Sequence, residues 1–371
     1  MPTLTGDQIT AYTRKLMPDI QNLWKETHPV LESIFDNLKA ENAEGPYTAF
    51  DIEVGNIGEG QQIITGNERL SYTGNDILAQ GQVYLSRYIH TVRIPLIKLQ
   101  EASPDAAGIM SISKRYPENA METVRLGLLE QLLTGAVSLT NNTRMSCFPT
   151  LNGDKQFTVN PTVGAQYGML LPKAKTSQTE TLFGLAREGT GAGYKGWYNQ
   201  FGQISSFAVD GKSVMRKTYN ECRVRSAGRR PPKYGITNTV FYENYYSSLQ
   251  DQVRVVTQNH ESKGDKGAMA STGLAFEEAL IFSDPIMDDL IANFTTAAAA
   301  GGGQMYLFHP DDMVALRQGR ANGPETDGNF HISDFRRAEG QDAIIAEITL
   351  VRGFAMRNLK GNGVIIGGNN A

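Results

Sequence analysis

YTAFDIEV at 47–54 and QVYLSRYIHTVRIPLIKL at 82–99 are the two stretches on which the fold turns. Both are rich in β-branched and aromatic residues, which predicts strands. Residues 55–81 between them carry six glycines and two short strand-like pieces, 61–65 and 68–73, around a Gly66-Asn67 pair suited to a hairpin turn. The pattern predicts a long antiparallel ribbon projecting from the body, with a plain surface loop as the alternative. A two-stranded ribbon is marginal in water on its own, so it needs a further surface to lie on.

Upstream of the ribbon, Thr5 is placed to cap a helix carrying Ile9, Tyr12 and Leu16, and Pro29 can open another with Leu31, Ile34, Phe35 and Leu38. Gly45-Pro46 ends this arm. Downstream, Ser103-Pro104 starts a short helix. The clearest helix runs from Pro117 to about Leu133, with Met121, Val124, Leu128, Leu129, Leu132 and Leu133 in one apolar stripe. Residues 136–233 read as irregular. Order returns with a strand at Tyr234–Thr237 and a helix presenting Phe241, Tyr245, Leu249, Val253 and Val256. Leu280-Ile281-Phe282 reads as a buried strand ended by Asp284-Pro285, and 304–309 as another. Strands at 343–351 and 354–356 and an apolar patch at Val364-Ile365-Ile366 close the chain as a terminal hairpin.

Composition narrows the function. Of 371 residues 20% are charged, and the formal charge is −4, so the chain as a whole lacks the basic excess of a protein that grips phosphates. Cys147 and Cys222 are too few for a disulfide framework and are expected as buried thiols. The start shows no signal peptide, and no apolar run approaches the ~20 residues of a membrane helix. These features describe a soluble cytoplasmic product.

Motifs for chemistry are fragmentary. Gly191-Ala192-Gly193-Tyr194-Lys195-Gly196 matches GxGxxG, but its flanks make a poor strand and a poor helix opening. Gly211-Lys212-Ser213 resembles the end of a P-loop whose first glycine is replaced by Ser206. Asp210-Gly211 reads instead as a hairpin turn between strands 204–209 and 214–219. Ser111-Ile112-Ser113-Lys114 has the SxxK spacing without its companion motifs. His309-Pro310-Asp311-Asp312 is the one cluster of possible ligands, and a strand end followed by an Asp-capped helix start explains it. No cofactor and no metal are expected. Arg216, Lys217, Arg223, Arg225, Arg229, Arg230 and Lys233 form a basic patch, either a contact for nucleic acid or a neighbouring copy, or a solvated strand face.

In the order of these elements the chain resembles the major capsid proteins of tailed bacteriophages, the Hong Kong ninety-seven fold. The local likeness is greatest at 231–312 (PPKYGIT, LIFSDPIMD, GGQMYLFHPDD) and in QDAIIAEITLVRGFAMRNLKGNGVIIG. The resemblance implies an α+β chain with an N-terminal arm (1–46), an extended loop with flanking strands (47–98), a peripheral domain with the long spine helix (99–140 and 335–371) and an axial domain (141–334). It implies a subunit that catalyses nothing and self-assembles into hexamers and pentamers around double-stranded DNA. Its partners would be other copies of itself, a separate scaffolding protein, a portal protein and a decoration or cement protein. Glu59, Glu68, Arg69 and Asp76 on the extended loop would then contact a neighbouring subunit. No lysine lies between Lys39 and Lys98, so cross-linking through a loop lysine is excluded. An encapsulin-type compartment and a nucleotide-binding enzyme are the competing readings.

Overall fold

A computed structural model describes residues 39–43, 47–53, 78–101, 115–120, 123–124, 127, 148, 174–178, 181–188, 194, 196–226, 230–250, 274–284, 287–288, 303–318, 331–340 and 342–367. The helices expected before residue 39 and at Ser103-Pro104, the ribbon tip at 54–77 and Cys147 lie outside them.

Among the described residues two six-stranded sheets organise the fold. The first is built on one strand, Ala343–Met356. Its Ala343–Arg352 portion pairs antiparallel with Ser86–Pro95 along one edge. Its other edge takes Arg336–Arg337, His331–Ile332 and Met313–Gln318 in turn, and Lys39–Ala43 adds in parallel beyond Met313–Gln318. Ile344, Ala346 and Ile348 alternate inward, the period expected of a strand with one buried face. Two separate strands were expected here. Gly353 does not break the run, because Leu316 opposite keeps its backbone paired.

The second sheet has the order Gln200–Ile204, Gly363–Gly367, Gly303–Phe308, Tyr234–Thr237, Ala279–Ser283, Leu274–Phe276. Every residue of Gly303–Phe308 is buried. Met305 and Leu307 face one core, with Met215, Tyr219, Phe241 and Tyr245 from the helices Lys212–Arg225 and Thr239–Gln250. Tyr306 and Phe308 face the other, which also holds Val92, Ile94 and Ile348 of the first sheet. A strand covered on both sides reads as a continuous apolar run, which is why QMYLFH was legible. Gly303 is where a helix presses closest: a Cβ there would lie 2.3 Å from the Phe241 Cβ.

Several expectations need correction. The terminal hairpin does not form: Ala343–Met356 and Gly363–Gly367 lie in different sheets, and the latter pairs with Gly303–Phe308 and Gln200–Ile204. Leu96–Glu101 is a helix, so the strand expected over 82–99 ends at Pro95. The region 136–233 is not irregular throughout, since it holds Gln200–Ile204 and the 14-residue helix Lys212–Arg225. Of the helix expected at 117–133, residues 117–120, 123, 124 and 127 are described and helical, with Ala120 and Val124 buried.

The stretches flanking the long loop pair as Tyr47–Glu53 with Leu78–Tyr84, antiparallel, with Glu53 opposite Leu78. Ile52 and Val83 are buried, while Ala49, Asp51, Gln80 and Gln82 on the other face are exposed. This stem therefore buries a face against its own chain.

Candidate inter-subunit surfaces and the polar knot

The loop residues Glu59, Glu68, Arg69 and Asp76 lie outside the described residues, as does Arg229. The structure brings together most of the remaining basic patch, but on a helix and not on a strand. The π-turn Phe207–Gly211 leads directly into Lys212–Arg225, where a hairpin about Asp210-Gly211 was expected. Met215, Thr218, Tyr219 and Cys222 point inward at helical spacing. Arg216, Lys217, Arg223 and Arg225 are consequently displayed to solvent.

Much of that positive charge is met within the chain. Arg216 Nε sits 3.1 Å from Glu277 and Arg223 is 4.0 Å from Glu278. Both acids occupy the two-residue turn between Leu274–Phe276 and Ala279–Ser283, where Glu277 takes φ +53°. All four side chains of these pairs are exposed, so each pair is worth at most about 1 kcal/mol. Arg216→Ala and Arg223→Ala should each shift folding stability by less than ~1 kcal/mol in urea titration. Lys217, Arg225 and Lys233 remain exposed.

The P-loop-like fragment is used internally. The Asp210 carboxylate accepts hydrogen bonds from the Ser205 N–H at 3.1 and 3.2 Å and from the Ser206 N–H at 3.2 Å. The Ser205 N–H, helped by that of Ser206, holds the Asp210 carboxyl below its ordinary value. A carboxylate of the chain itself thus occupies donors that a phosphate would need. Lys212 donates to the Ser248 carbonyl of the next helix, and Ser213 Oγ to the Asp210 carbonyl. The Gly191–Gly196 pattern fails differently: Gly196 is followed by Trp197–Asn199 in no regular element and then by the strand Gln200–Ile204, so no helix opens after Gly196 as a dinucleotide site needs. Among the described residues no group of three or more His, Cys, Asp or Glu is placed to hold a metal ion. Among them, too, no helix is long and apolar enough to cross a membrane.

His309-Pro310-Asp311-Asp312 belongs to a buried polar knot that links distant segments. His309 Nδ1 accepts from the Asp311 N–H at 3.1 Å and so caps the 3₁₀ turn Pro310–Asp312; the cap is the histidine, not an aspartate. Asp312 is fully buried and accepts from Arg230 at 3.0 Å and from Asn362 Nδ2 at 3.2 Å. Asn362 Oδ1 in turn accepts from the His309 N–H at 2.9 Å, and its own Nδ2 also reaches the Asn358 carbonyl. Nothing in the sequence spacing couples Asp312 to Asn362, fifty positions away.

Burial, with Lys233 and Arg230 nearby, pushes His309 below its ordinary value, and Asp311 only partly opposes this. Below about pH 6.5 the unfolded chain takes up the proton first, so His309 withdraws stability as the pH falls from there toward its lowered folded value. Urea midpoints should drop on acidification from pH 7.5 to 5. In His309→Asn, which can still accept from the Asp311 N–H but does not titrate, part of that dependence should vanish.

No protein-family profile matches the chain, and no curated protein matches it. Solved structures do. A chain of the cyanophage A-1(L) capsid asymmetric unit superposes with a TM-score of 0.53 at 11% identity, over 88% of this chain and 89% of the phage chain. The capsid of the empty GTA particle gives 0.52 at 8% identity, over 91% and 90%. The holo-SrpI encapsulin complex of Synechococcus elongatus PCC 7942 gives 0.48 at 10% identity, over 91% and 88%. At such identities what is shared is fold, and the chain has the α+β fold of Hong Kong ninety-seven type shell proteins.

Proposed function

We propose that the chain is the major structural subunit of an icosahedral shell, assembling as hexamers and pentamers around the double-stranded DNA of a tailed phage in the bacterial cytoplasm. The observation that carries this reading is the extent of the fold match to the cyanophage capsid chain, which runs through nearly nine tenths of both chains and not through a shared fragment. The arm (1–46), the extended loop (47–98), the peripheral part (99–140 and 335–371) and the axial part (141–334) supply the working division of the subunit. Gly363–Gly367, at the end of 335–371, pairs with Gly303–Phe308 and Gln200–Ile204 of the part proposed as axial. A separate scaffolding protein, a portal and a cement protein complete the partners. Of the charged groups, Glu59, Glu68, Arg69 and Asp76 serve the contacts between copies, and Lys217, Arg225 and Lys233 are the basic residues left for a neighbour or for DNA.

The test is particle formation. The chain expressed with its scaffolding protein is expected to yield closed particles by negative-stain microscopy and fast-sedimenting species by ultracentrifugation. A monodisperse monomer at every salt and protein concentration overturns the proposal. Shells filled by a packaged enzyme in place of DNA would assign the chain to the encapsulin-type reading.

A further inference from the structure

The geometry points to Phe183 as a positioning residue that fixes the direction in which the long loop leaves the subunit. Thr181–Leu182 and Leu185–Ala186 form a minimal hairpin with Leu182 paired to Leu185. Its two turn residues, Phe183 and Gly184, both take positive φ, +54° and +82°. A two-residue turn with that pair of angles favours Asn, Asp or Gly at its first position. Phenylalanine is a costly occupant there, and such strain persists only where the surroundings hold it.

What holds it is the loop stem. The Phe183 carbonyl accepts from the Gln82 N–H at 2.9 Å, on the edge of Leu78–Tyr84 that faces away from Tyr47–Glu53. The Phe183 side chain lies over Gly81: a Cβ on Gly81 would sit 3.2 Å from the Phe183 Cβ and would run into Ile52. Glycine at 81 is what lets Ile52 and Phe183 share that space. The Phe183 ring stacks tilted on Trp197 with centroids 6.5 Å apart, and Ile52, Val83, Leu182, Phe183, Leu185 and Trp197 belong to one buried cluster. The stem is thus gripped at its root by a hairpin from a part of the chain about a hundred positions away. One residue, Leu85, separates it from Ser86–Pro95 of the first sheet. The small hairpin, backed by Trp197, clamps the stem, and the direction of the stem follows from that grip.

This inference rests on the reading that residues 54–77 contact neighbouring subunits, but its first test does not. Hydrogen exchange on the full-length soluble chain compares the wild type with Phe183→Asn, which keeps the turn, relieves the backbone and removes the ring. Exchange in peptides covering 47–53 and 78–84 is expected to accelerate by roughly tenfold or more, while Gly303–Phe308 stays as protected as before. Phe183→Leu, which retains an apolar cover, should restore most of the protection. A merely structural role predicts parallel acceleration across all three segments, and that result, or no acceleration in the stem, overturns the clamp. In co-expression with scaffolding protein, Phe183→Asn is expected to give aberrantly sized or open particles. If the wild type forms no particles, the shell reading fails while the exchange result still judges the clamp.

Discussion

Replacing Asp312 with alanine will cost the folded subunit about 3 kcal/mol, seen as a lower urea midpoint with an unchanged slope. The carboxylate is fully buried, pairs with Arg230 at 3.0 Å and takes a second hydrogen bond from Asn362. Its loss removes the carboxylate paired with Arg230 and one of the two acceptors of Asn362 Nδ2, loosening the amide whose Oδ1 accepts from the His309 N–H. Asp312→Asn preserves volume and one acceptor and should cost about half as much. The informative contrast is with Arg216→Ala. Both substitutions break an Arg–carboxylate contact of about 3 Å, but the Arg216–Glu277 pair is open to solvent on both sides. Equal effects from the two would mean that burial does not set their worth.

Excision of the loop tip should separate folding from assembly completely. Glu53 and Leu78 are directly opposite, so a two-residue Asn-Gly turn can replace 54–77 without moving either strand. Ile52 and Val83 stay buried in the cluster that holds Phe183, and the thermal midpoint should remain within a few degrees of wild type. The same protein should form no closed shells, because the contacts assigned to Glu59, Glu68, Arg69 and Asp76 are gone at every copy of the interface. Normal particles from the excised chain would show that the tip is not needed for closure.

The sequence disclosed most where one period dominated. Ile344, Ala346 and Ile348 alternate, and Met305–Phe308 is an unbroken apolar run, so both strands could be placed from pattern alone. Phe241 and Tyr245 likewise marked their helix. The reading failed at Asp210-Gly211 because a strong turn pair outweighed the helical spacing of Met215, Tyr219 and Cys222, so the strand face offered as one reading of the basic patch is a helix face. It failed at the closing strands because local pattern carries no pairing information: nothing in Val364-Ile365-Ile366 shows that its partners are Met305 and Gly202 and not the preceding strand. The polar knot was out of reach for the same reason, since Arg230, Asp312 and Asn362 meet only in three dimensions.

The placement of Ala343–Met356 and Gly363–Gly367 also governs when the chain can fold. The first supplies the common partner of Ser86–Pro95, Met313–Gln318, His331–Ile332 and Arg336–Arg337, and the second inserts between Gln200–Ile204 and Gly303–Phe308. Until residues 343–367 have left the ribosome, the first sheet lacks its common strand and Gln200–Ile204 lacks its link to the second, whose strands Gly303–Phe308, Tyr234–Thr237, Ala279–Ser283 and Leu274–Phe276 can already pair. Such long-range pairing is slow and leaves unpaired edges exposed during synthesis. An unfinished chain therefore lacks the first sheet's common strand, and under the proposed shell function copies on one polysome would be kept from joining before that strand is in place.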